Sequence, residues 1–406
     1  MPNKNTMGLF DDENVRLNVL RERAYNLRWA EVEKDVIPLT AADPDFPVAK
    51  EVRQTMVDYI NGGYFSYAPK LGLPEFKKAV SEGLKQRKGE DIDPELILPI
   101  DSAARGMYVI AKTALSPGDE MIVFDPVDFL FRESCIAAGG KVVLFPAKMK
   151  DGWIDLSDLE SYITPKTKMI GLCNPHNPFG VSYRPEDLEH IMTLCEKYDL
   201  TIMNDEIWSD IIFPEEPYNS IYFLGNKRCE RVMSVFGFSK SFGIAGMRIG
   251  CVYTTSPELF KGMVEKSDVL STAGGISSLS QIAGKACMEN YYWVDAFLEH
   301  LKGNRDYAVE RLNAMPLVKA YKPRATYLLY VDIRAFGMKS VEFTDYMREK
   351  VKLSVVPGGE QFFGSGSEGY IRICFATSRG ILKEGLDRLE KGIAMLMEER
   401  KLTAIS

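Results

Sequence analysis

The chain has 406 residues, which is too long for one small domain and long enough for a large core plus a second domain. Its 46% hydrophobic and 26% charged residues are ordinary for a soluble globular protein, and no stretch approaches the roughly 20 apolar residues that a membrane span needs. The net charge of −7, with no basic stripe along the chain, argues against a nucleic-acid partner.

The order of the predicted elements indicates an α/β domain. The N-terminal segment 1–12 is polar and lacks the apolar region typical of a secretory signal. Apolar periodicity predicts a helix over residues 47–60, which stops at a Gly-Gly pair, and another over residues 73–88. Short apolar runs separated by helical segments such as Pro185–Tyr198 then predict buried strands of a largely parallel sheet. These runs are residues 121–124, 142–145, 169–173, 200–203, 232–236 and 249–253.

A second block of elements begins near residue 300. Residues 327–333, 354–356 and 370–376 are predicted strands, and residues 341–351 and 380–400 are predicted helices. This pattern indicates a smaller α+β domain. We expect the boundary between the domains to lie inside the helical stretch 291–312, without a flexible linker.

The cysteines and histidines indicate neither disulfides nor a metal site. The seven cysteines are scattered, with no Cys-x-x-Cys pair, so we expect reduced, buried thiols in a cytoplasmic protein. The three histidines are not spaced to ligate a metal together, so no metal is expected.

Three motifs carry the chemistry. In the segment 238–248 (FSKSFGIAGMR), Lys240 lies between small residues and Arg248 follows eight positions later. This suits a lysine that forms a Schiff base with an aldehyde cofactor, with a cation near a phosphate. The segments 174–180 (NPHNPFG) and 204–208 (NDEIW) each follow a predicted strand. Ligands of open α/β sheets bind beyond the carboxyl ends of strands, so both segments lie where such a sheet places its chemistry.

In this order and combination, the motifs resemble those of the pyridoxal 5′-phosphate (PLP) enzymes of the class I/II aminotransferase family. The resemblance runs from about residue 36 to the C-terminus. It implies a large PLP-binding domain (residues 47–300), with a mostly parallel sheet sandwiched by helices. It also implies a small domain (residues 301–406) that is completed by an N-terminal arm (residues 1–46), and a homodimer whose active sites form at the interface.

The resemblance assigns roles to three residues around the cofactor ring. Lys240 is the Schiff-base lysine, whose freed amine would move a proton between the substrate Cα and the cofactor C4′. Asp205 is the partner of the pyridine nitrogen, keeping the ring protonated. Asn177 is similar to the asparagine that donates a hydrogen bond to the ring 3′ oxygen. Alone, Asp205 would be equally typical of a turn or helix cap, and Asn177 of a proline-rich turn.

The phosphate of the cofactor needs hydrogen-bond donors and positive charge. Ser102, Ala103 and Ala104, ahead of a helical stretch, can offer backbone N–H groups and a hydroxyl at a helix N-terminus. Arg248 supplies a cation, and Ser239 is a further candidate donor. The resemblance also implies a contact from the second subunit, where Ser277 or Ser278 is similar to the contributing loop. Simple helix capping is the alternative explanation for these serines.

The resemblance assigns substrate binding to Arg372, Ala42 and Asn177, and a catalytic role to Tyr67. Arg372, within the β-like run 369–375, resembles the arginine that binds the substrate α-carboxylate, and a guanidinium in such a run requires a partner. Ala42, in the segment 40–46 (TAADPDF), is expected to contact the substrate. Tyr67 resembles a tyrosine donated across the dimer interface to the neighbouring active site, although a core or interface tyrosine is the plainer interpretation.

The chain departs from the family pattern at three positions. Trp208 replaces the usual tyrosine; its indole N–H can donate to the 3′ oxygen but cannot accept or ionise. Asp128 stands where an aromatic residue is expected to stack on the cofactor ring, and the neighbouring Phe129 is the expected substitute. Gly237 replaces a serine and so removes one phosphate donor.

The function that follows is transfer of an amino group between an amino acid and a 2-oxo acid, in amino-acid metabolism. The alternative is a C–S β-lyase, similar to cystathionine β-lyase, because both reactions begin with loss of the Cα proton. A PLP-dependent decarboxylase, racemase or cyclase stays open because of Trp208 and Asp128. A non-catalytic regulator is disfavoured because the roughly 45 residues before the first clear helix cannot hold a DNA-binding domain.

The amino-acid substrate is left open by the sequence. Arg105 and Arg324 are candidates for binding a second carboxylate. Trp208, Phe129 and Phe179 would favour an apolar or aromatic side chain, but core packing explains aromatic residues equally well.

Overall fold

The computed structural model describes residue 6, residues 8–271 and residues 275–401. The chain forms two compact units. Unit 1 comprises Met1–Pro47, Asn177–Gly180 and Asp295–Ser406, and unit 2 comprises Val48–His176 and Val181–Val294. The last change from unit 2 to unit 1 falls inside the helix Tyr292–Asn313.

The regular elements of the described residues are numbered in chain order, leaving out short 3-10 turns. The helices are α1 (Leu17–Glu22), α2 (Leu27–Ala30), α3 (Lys50–Gly62), α4 (Pro74–Lys88), α5 (Ala103–Ala114), α6 (Leu130–Ala137), α7 (Pro185–Tyr198), α8 (Phe238–Phe242), α9 (Pro257–Lys266), α10 (Ser278–Met288), α11 (Tyr292–Asn313), α12 (Ser340–Val351) and α13 (Arg379–Arg400). The strands are β1 (Ile37–Pro38), β2 (Ile97–Ile100), β3 (Glu120–Asp125), β4 (Lys141–Pro146), β5 (Met149–Lys150), β6 (Trp153–Ile154), β7 (Thr167–Cys173), β8 (Thr201–Asp205), β9 (Val232–Gly237), β10 (Gly250–Thr254), β11 (Lys319–Ala320), β12 (Leu328–Asp332), β13 (Leu353–Ser354), β14 (Val356–Pro357) and β15 (Tyr370–Cys374).

Unit 2 is built on a seven-stranded sheet in the order β2-β10-β9-β8-β7-β3-β4. The strands from β9 to β4 pair in parallel, whereas β10 is antiparallel to both of its neighbours. The predicted α/β class with a mostly parallel sheet is therefore confirmed. Since β2 is antiparallel to β10, its carboxyl end lies at the same edge of the sheet as those of β7, β8 and β9.

The helices of unit 2 bury one apolar face against this sheet. On α5 the buried residues Ala103, Met107, Ile110 and Ala111 follow the spacing of one helix face. The strands beneath are buried along nearly their whole length, as parallel strands covered on both sides are. This is why the central strands appear in the sequence as continuous apolar runs.

Unit 1 contains a four-stranded antiparallel sheet in the order β11-β12-β15-β14 and a separate parallel pair of β1 with β13. The prediction of one strand over residues 354–356 was wrong. The chain passes from one sheet to the other at Val355, so that β13 pairs with β1 and β14 pairs with β15. Isolated apolar residues do not reveal such a change of partner.

The seven cysteines are free and buried. Burial raises the pKa of Cys135 to about 11 and that of Cys195 to about 12, so these thiols are protonated at neutral pH. Within the described residues, His, Cys, Asp and Glu form no cluster able to hold a metal ion. None of the helices in the described part of the chain combines the length and apolar character needed to cross a bilayer.

Candidate active site

The ends of four strands meet at one edge of the sheet in unit 2. β7 ends at Cys173 and β8 at Asp205, and these two residues are partners in the sheet register. β9 ends at Gly237, which pairs with Gly250 at the start of β10, and Gly250 also pairs with Ile100 at the end of β2. The segments that follow these strand ends therefore lie side by side, which is the position of ligand sites in open α/β sheets.

Lys240 lies on α8, a five-residue helix that begins directly after β9. The helix ends at Gly243, whose φ of +68° is a left-handed conformation that suits a residue without a Cβ. The Lys240 ammonium lies 5.7 Å from the centroid of the Trp208 ring, within the range of a cation–π interaction. Lys240 is half-buried, and Trp208 is buried beside it.

Asp205, at the end of β8, is a buried carboxyl with only 5% of its surface exposed. One of its oxygens accepts a hydrogen bond from the Ile207 N–H at 3.0 Å. Burial raises the pKa of Asp205 to about 7, and the charges of Asp128 and Glu206 act in the same direction; the Ile207 N–H and the Lys240 ammonium oppose them. A protonated ring nitrogen beside this carboxyl would supply the positive charge that favours its ionised form.

Two glycines allow three of the site segments to approach closely. A Cβ on Gly250 would lie 3.3 Å from the Ala103 nitrogen and 3.4 Å from the Ser102 carbonyl carbon. A Cβ on Gly237 would lie 3.1 Å from Ile207 Cγ1 and 3.3 Å from Ala103 Cβ. The start of α5, the end of β9 and the turn after β8 are therefore in direct contact.

The start of α5 has the properties of an anion site. Ser102 is the N-cap residue, and its hydroxyl accepts the Arg105 N–H at 3.1 Å while donating to Asp101 at 2.9 Å. The first-turn N–H groups of Ala103 and Ala104 point out of the helix N-terminus, where the helix dipole favours negative charge. Since Arg105 also pairs with Asp268 at 3.0 Å, its guanidinium already has a carboxylate partner.

A buried ionic cluster next to Asp205 was not identified from the sequence. Glu206 forms an ion pair with Lys88 at 3.3 Å, and the two side chains are 0% and 1% exposed. Glu206 also accepts hydrogen bonds from the Tyr253 hydroxyl and the Asn204 amide, both at 2.6 Å. The Tyr253 hydroxyl lies 2.8 Å from Glu90 as well. Glu206 is adjacent to Asp205 in the motif, but only the fold brings Lys88 and Glu90 to it.

The proton balance of this cluster follows from its geometry. A hydroxyl has one hydrogen, so Tyr253 cannot donate to Glu90 and Glu206 at once. Burial and the Glu206 charge raise the pKa of Glu90 well above its ordinary value, whereas the Lys88 charge and the hydrogen bond that Tyr253 donates oppose this rise. Burial lowers the pKa of Lys88, but the charges of Glu206, Glu90 and Asp210 outweigh burial and raise it. Lys88 therefore stays charged and balances Glu206.

A second group of predicted residues meets in unit 1. Arg372 on β15 is 9% exposed, and its guanidinium donates to the Thr40 carbonyl at 3.3 Å and to the Asn177 side-chain oxygen at 3.5 Å. The guanidinium also lies over the Phe363 ring, 4.9 Å from its centroid. A carboxylate is a ligand well matched to the planar donors of a guanidinium.

The remaining cofactor candidates differ in exposure. Phe129 is exposed at the start of α6, and the half-buried Asp128 accepts the Leu130 N–H at 3.2 Å. Asp128 acts on Asp205 through its charge, and stacking by Phe129 stays a prediction. Ser239 is half-buried on α8, and Arg248 is exposed with a φ of +49°, a conformation that non-glycine residues rarely adopt.

The candidates for substrate and partner contacts lie elsewhere on the two units. In unit 1, Ala42 is half-buried, and its carbonyl accepts the Tyr327 hydroxyl at 3.3 Å. In unit 2, Tyr67 is 94% exposed, and Ser277 is exposed at the N-cap of α10 with Ser278 after it. A role for these exposed residues in a partner's site stays a prediction.

The residues gathered in unit 2 fit pyridoxal 5′-phosphate. The half-buried amine of Lys240 can bind an aldehyde. The buried carboxyl of Asp205 suits a pyridine nitrogen that carries a proton, and the start of α5 suits a phosphate. All three lie at one edge of the sheet, where the start of α5, the end of β9 and the turn after β8 are in close contact.

Comparisons with known proteins agree with this fit. A family model described as aminotransferase class I and II matches residues 34–389. The chain is similar to an aspartate aminotransferase of Pyrococcus abyssi, with 30% identity over 374 residues, covering 91% of this chain and 94% of the relative. It is also similar to aromatic-amino-acid aminotransferase 2 of Thermococcus litoralis, with 29% identity, covering 90% of this chain and 93% of the relative.

Solved structures share the fold. A candidate PLP-dependent β-cystathionase of Corynebacterium diphtheriae is 27% identical and superposes with a TM-score of 0.83, covering 93% of this chain and 98% of its own. Two other structures, each 25% identical with a TM-score of 0.86, contain PLP. The fold is therefore one that holds this cofactor.

Proposed function

The chain belongs to the aminotransferase class I and II family, and on that premise we propose that Lys240 is the residue at which it exchanges an amino group between an amino acid and a 2-oxo acid. The resemblance stated from the sequence is confirmed: the chain is a PLP-dependent aminotransferase. The observation that carries the role of Lys240 is its position directly after β9, at the same sheet edge as the buried Asp205 carboxyl.

The residues of unit 2 would hold the cofactor and move the proton. When bound, PLP supplies an electron-accepting ring for the electron pair left at the substrate Cα. Lys240 would move the proton from the substrate Cα to the cofactor C4′, and Asp205 would hold a proton at the ring nitrogen. Ser102, Ala103 and Ala104 bind the phosphate at the start of α5, with Ser239 and Arg248 as further donors.

The residues of unit 1 would recognise the substrate. Arg372 binds the α-carboxylate with its two parallel N–H donors, and Asn177, whose side-chain oxygen accepts from Arg372, orients that guanidinium. The hydrogen bond from Asn177 to the ring 3′ oxygen, implied by the resemblance, stays a prediction. Ala42, two residues after Arg372's partner Thr40, would contact the substrate with its small side chain.

We also propose a homodimer in which Tyr67 and Ser277 reach the partner's site. Tyr64, Phe65 and Tyr67 are all strongly exposed, and a run of three exposed aromatic residues is typical of an interface. Sedimentation should give a dimer, and Tyr67→Asp should weaken it and lower activity together. A fully active monomer would refute this proposal.

A cytoplasmic location in amino-acid metabolism is proposed as well. It is supported by the seven free, buried cysteines, which suit a reducing compartment. Fractionation of cells that produce the full chain would test it, and enrichment outside the cytoplasm would refute it.

C–S β-elimination is the second candidate activity. The structural likeness to a candidate β-cystathionase favours it, because loss of the Cα proton is common to both reactions. It has less support than transamination, since the curated relatives above at about 30% identity are aminotransferases.

A product assay separates the two activities. PLP-loaded protein is incubated with a panel of amino acids that includes aspartate, phenylalanine and cystathionine, and the cofactor spectrum, oxo acid and ammonia are followed together. Transamination converts the cofactor to its amine form and releases an oxo acid without ammonia. Ammonia, pyruvate and a thiol at catalytic turnover would refute transamination as the main activity.

The role of Lys240 has its own test. Lys240→Ala should fold and lose the visible absorbance of the lysine-bound cofactor, whereas Lys261→Ala, at an exposed lysine on α9, should keep it. Persistence of that absorbance in Lys240→Ala would exclude Lys240 as the anchor.

A further inference from the structure

The four carbonyl groups of residues 40–43, in unit 1, each accept a hydrogen bond from a side chain. Arg372 donates to the first and Tyr327 to the third, both at 3.3 Å. Arg28 donates to the other two, at 3.5 Å and 3.0 Å. Half of these side-chain contacts therefore come from Arg28, a residue of the short helix α2 that the sequence motifs do not include.

Arg28 is held in place by a buried partner. Its ion pair with Asp45 has both side chains 0% exposed, and Asp45 also accepts the Trp29 indole N–H at 2.8 Å. The Asp45 N–H donates to the Ala376 carbonyl at 3.1 Å, just beyond β15. Burial lowers the pKa of Arg28, but the charge of Asp45 outweighs burial and raises it. The guanidinium is therefore a fixed charge rather than a mobile surface group.

Arg28 also contacts the strand that carries Arg372. Its guanidinium donates to the Cys374 sulfur at 3.2 Å. Cys374 follows Arg372 by two positions on β15, and strand alternation puts both side chains on the same face of the sheet. The two arginines therefore lie along one face, and both donate to residues 40–43.

We propose that Arg28 is a positioning residue for substrate recognition, because it holds residues 40–43 against β15 and so fixes the Arg372 guanidinium for the substrate α-carboxylate. The inference rests on the proposed role of Arg372. Arg28 itself acts through Arg372 and touches neither substrate nor cofactor. Its effect must therefore appear as a change in carboxylate binding that leaves the chemistry of Lys240 largely intact.

The test variant is Arg28→Lys in the full-length, PLP-loaded enzyme. Lysine keeps a positive charge for Asp45 but lacks the planar fork that reaches two carbonyls and a sulfur. With the best donor of the substrate panel, KM should rise about tenfold while kcat changes less than about twofold, as expected for one lost charge-assisted hydrogen bond. With the carboxamide of that donor, which has no carboxylate charge, kcat/KM should change less than about twofold.

Binding without turnover gives a second readout. The 2-methyl analogue of the donor has no Cα proton to lose, so its dissociation constant can be measured from the cofactor spectrum. That constant should rise about tenfold in Arg28→Lys, with PLP affinity unchanged. Arg28→Met combined with Asp45→Asn leaves no buried charge unpaired, and it should give the same result if the lysine variant folds poorly.

A matched control is Arg311→Lys, at an arginine of the same unit whose ion pairs are with Asp387 and Glu390 on α13. It should leave KM within about twofold of the native value. The inference is overturned if a folded Arg28 variant keeps the native KM. It is also overturned if kcat/KM falls by the same factor for the carboxamide and for the carboxylate substrate. Arg372→Lys separates the two proposals. A native KM in Arg372→Lys refutes the proposed role of Arg372. A raised KM in Arg372→Lys together with a native KM in Arg28→Lys refutes only the role of Arg28.

Discussion

Replacing Asp205 with asparagine should change how the stability of the cofactor-free protein depends on pH. The pKa of this carboxyl is about 7 in the folded protein, against an ordinary value of 3.8. The folded state therefore binds the proton more tightly than the unfolded state. Stability from this group is fully present below about pH 4 and is lost as pH rises toward 7. An asparagine side chain does not titrate, so the stability of the variant does not fall with pH through this group.

The size of the effect follows from the two pKa values. A carboxyl whose pKa rises from 3.8 to about 7 on folding contributes about 4 kcal/mol of pH-dependent free energy in total. Between pH 5 and pH 8 the share is about 2.5 kcal/mol, because the loss of stability between about pH 4 and pH 5 lies outside that interval. Relative to the native protein, the variant should therefore gain about 2.5 kcal/mol of unfolding free energy across that interval.

The measurement is reversible urea unfolding of the cofactor-free native protein and Asp205→Asn at several pH values from 5 to 8. Tryptophan fluorescence and far-UV circular dichroism should be followed together, since a two-unit chain can unfold in more than one step. Comparing the two proteins at each pH cancels the contributions of other buried acids, such as Glu90.

The neighbours of Asp205 supply a check on the sign. Asp128→Asn removes a charge that raises the pKa of Asp205, so the pH range in which stability is lost should move to lower pH. Lys240→Met removes a charge that lowers it, so that range should move to higher pH. A difference between native and Asp205→Asn protein that stays constant from pH 5 to pH 8 would refute the raised pKa and the reasoning built on it.

The remaining predictions concern charged and polar groups elsewhere in unit 2. Lys88→Met should lower the unfolding free energy by about 3–5 kcal/mol, because it leaves the buried Glu206 charge uncompensated; adding Glu206→Gln should recover part of this loss, and full additivity in urea unfolding would contradict the pairing. Tyr253→Phe should cost about 1–3 kcal/mol by the same measurement, since Glu90 and Glu206 lose their shared hydroxyl, and a neutral result would count against that bridge. Arg228→Ala, at exposed ion pairs, should cost no more than about 1 kcal/mol, and less in high salt; a larger, salt-independent loss would disprove a surface role.

Much of the unit-2 fold could be predicted because its central strands are buried on both faces. Such strands are continuous apolar runs in the sequence, and each predicted run falls on one of the strands β3, β4, β7, β8, β9 and β10. Asp205 comes shortly after one of these runs, so its place at the carboxyl edge of the sheet followed from the sheet rule. The structure places Lys240 at the same edge, on the helix that follows β9. The antiparallel direction of β10 could not be predicted, because an apolar run carries no direction.

The buried charges could not be predicted for a different reason. Lys88 and Glu206 are 118 residues apart in sequence, and Arg28 and Cys374 are 346 apart. Each is ordinary in its local context: Lys88 ends a helix, and Arg28 follows a polar N-cap. Charged residues in such places are usually solvated, and only the tertiary fold removes these from water.

The charges around Asp205 bear on where the cofactor's proton should lie. The charges of Asp128 and Glu206 raise the pKa of Asp205, and the charge of Lys240 lowers it. Lys240 must lose its charge to act as nucleophile or base, and its lowering of the Asp205 pKa is then lost. A protonated ring nitrogen held at the same carboxyl would replace that positive charge. The residues of the site would therefore favour a proton on the ring while Lys240 is neutral and able to take the proton from Cα.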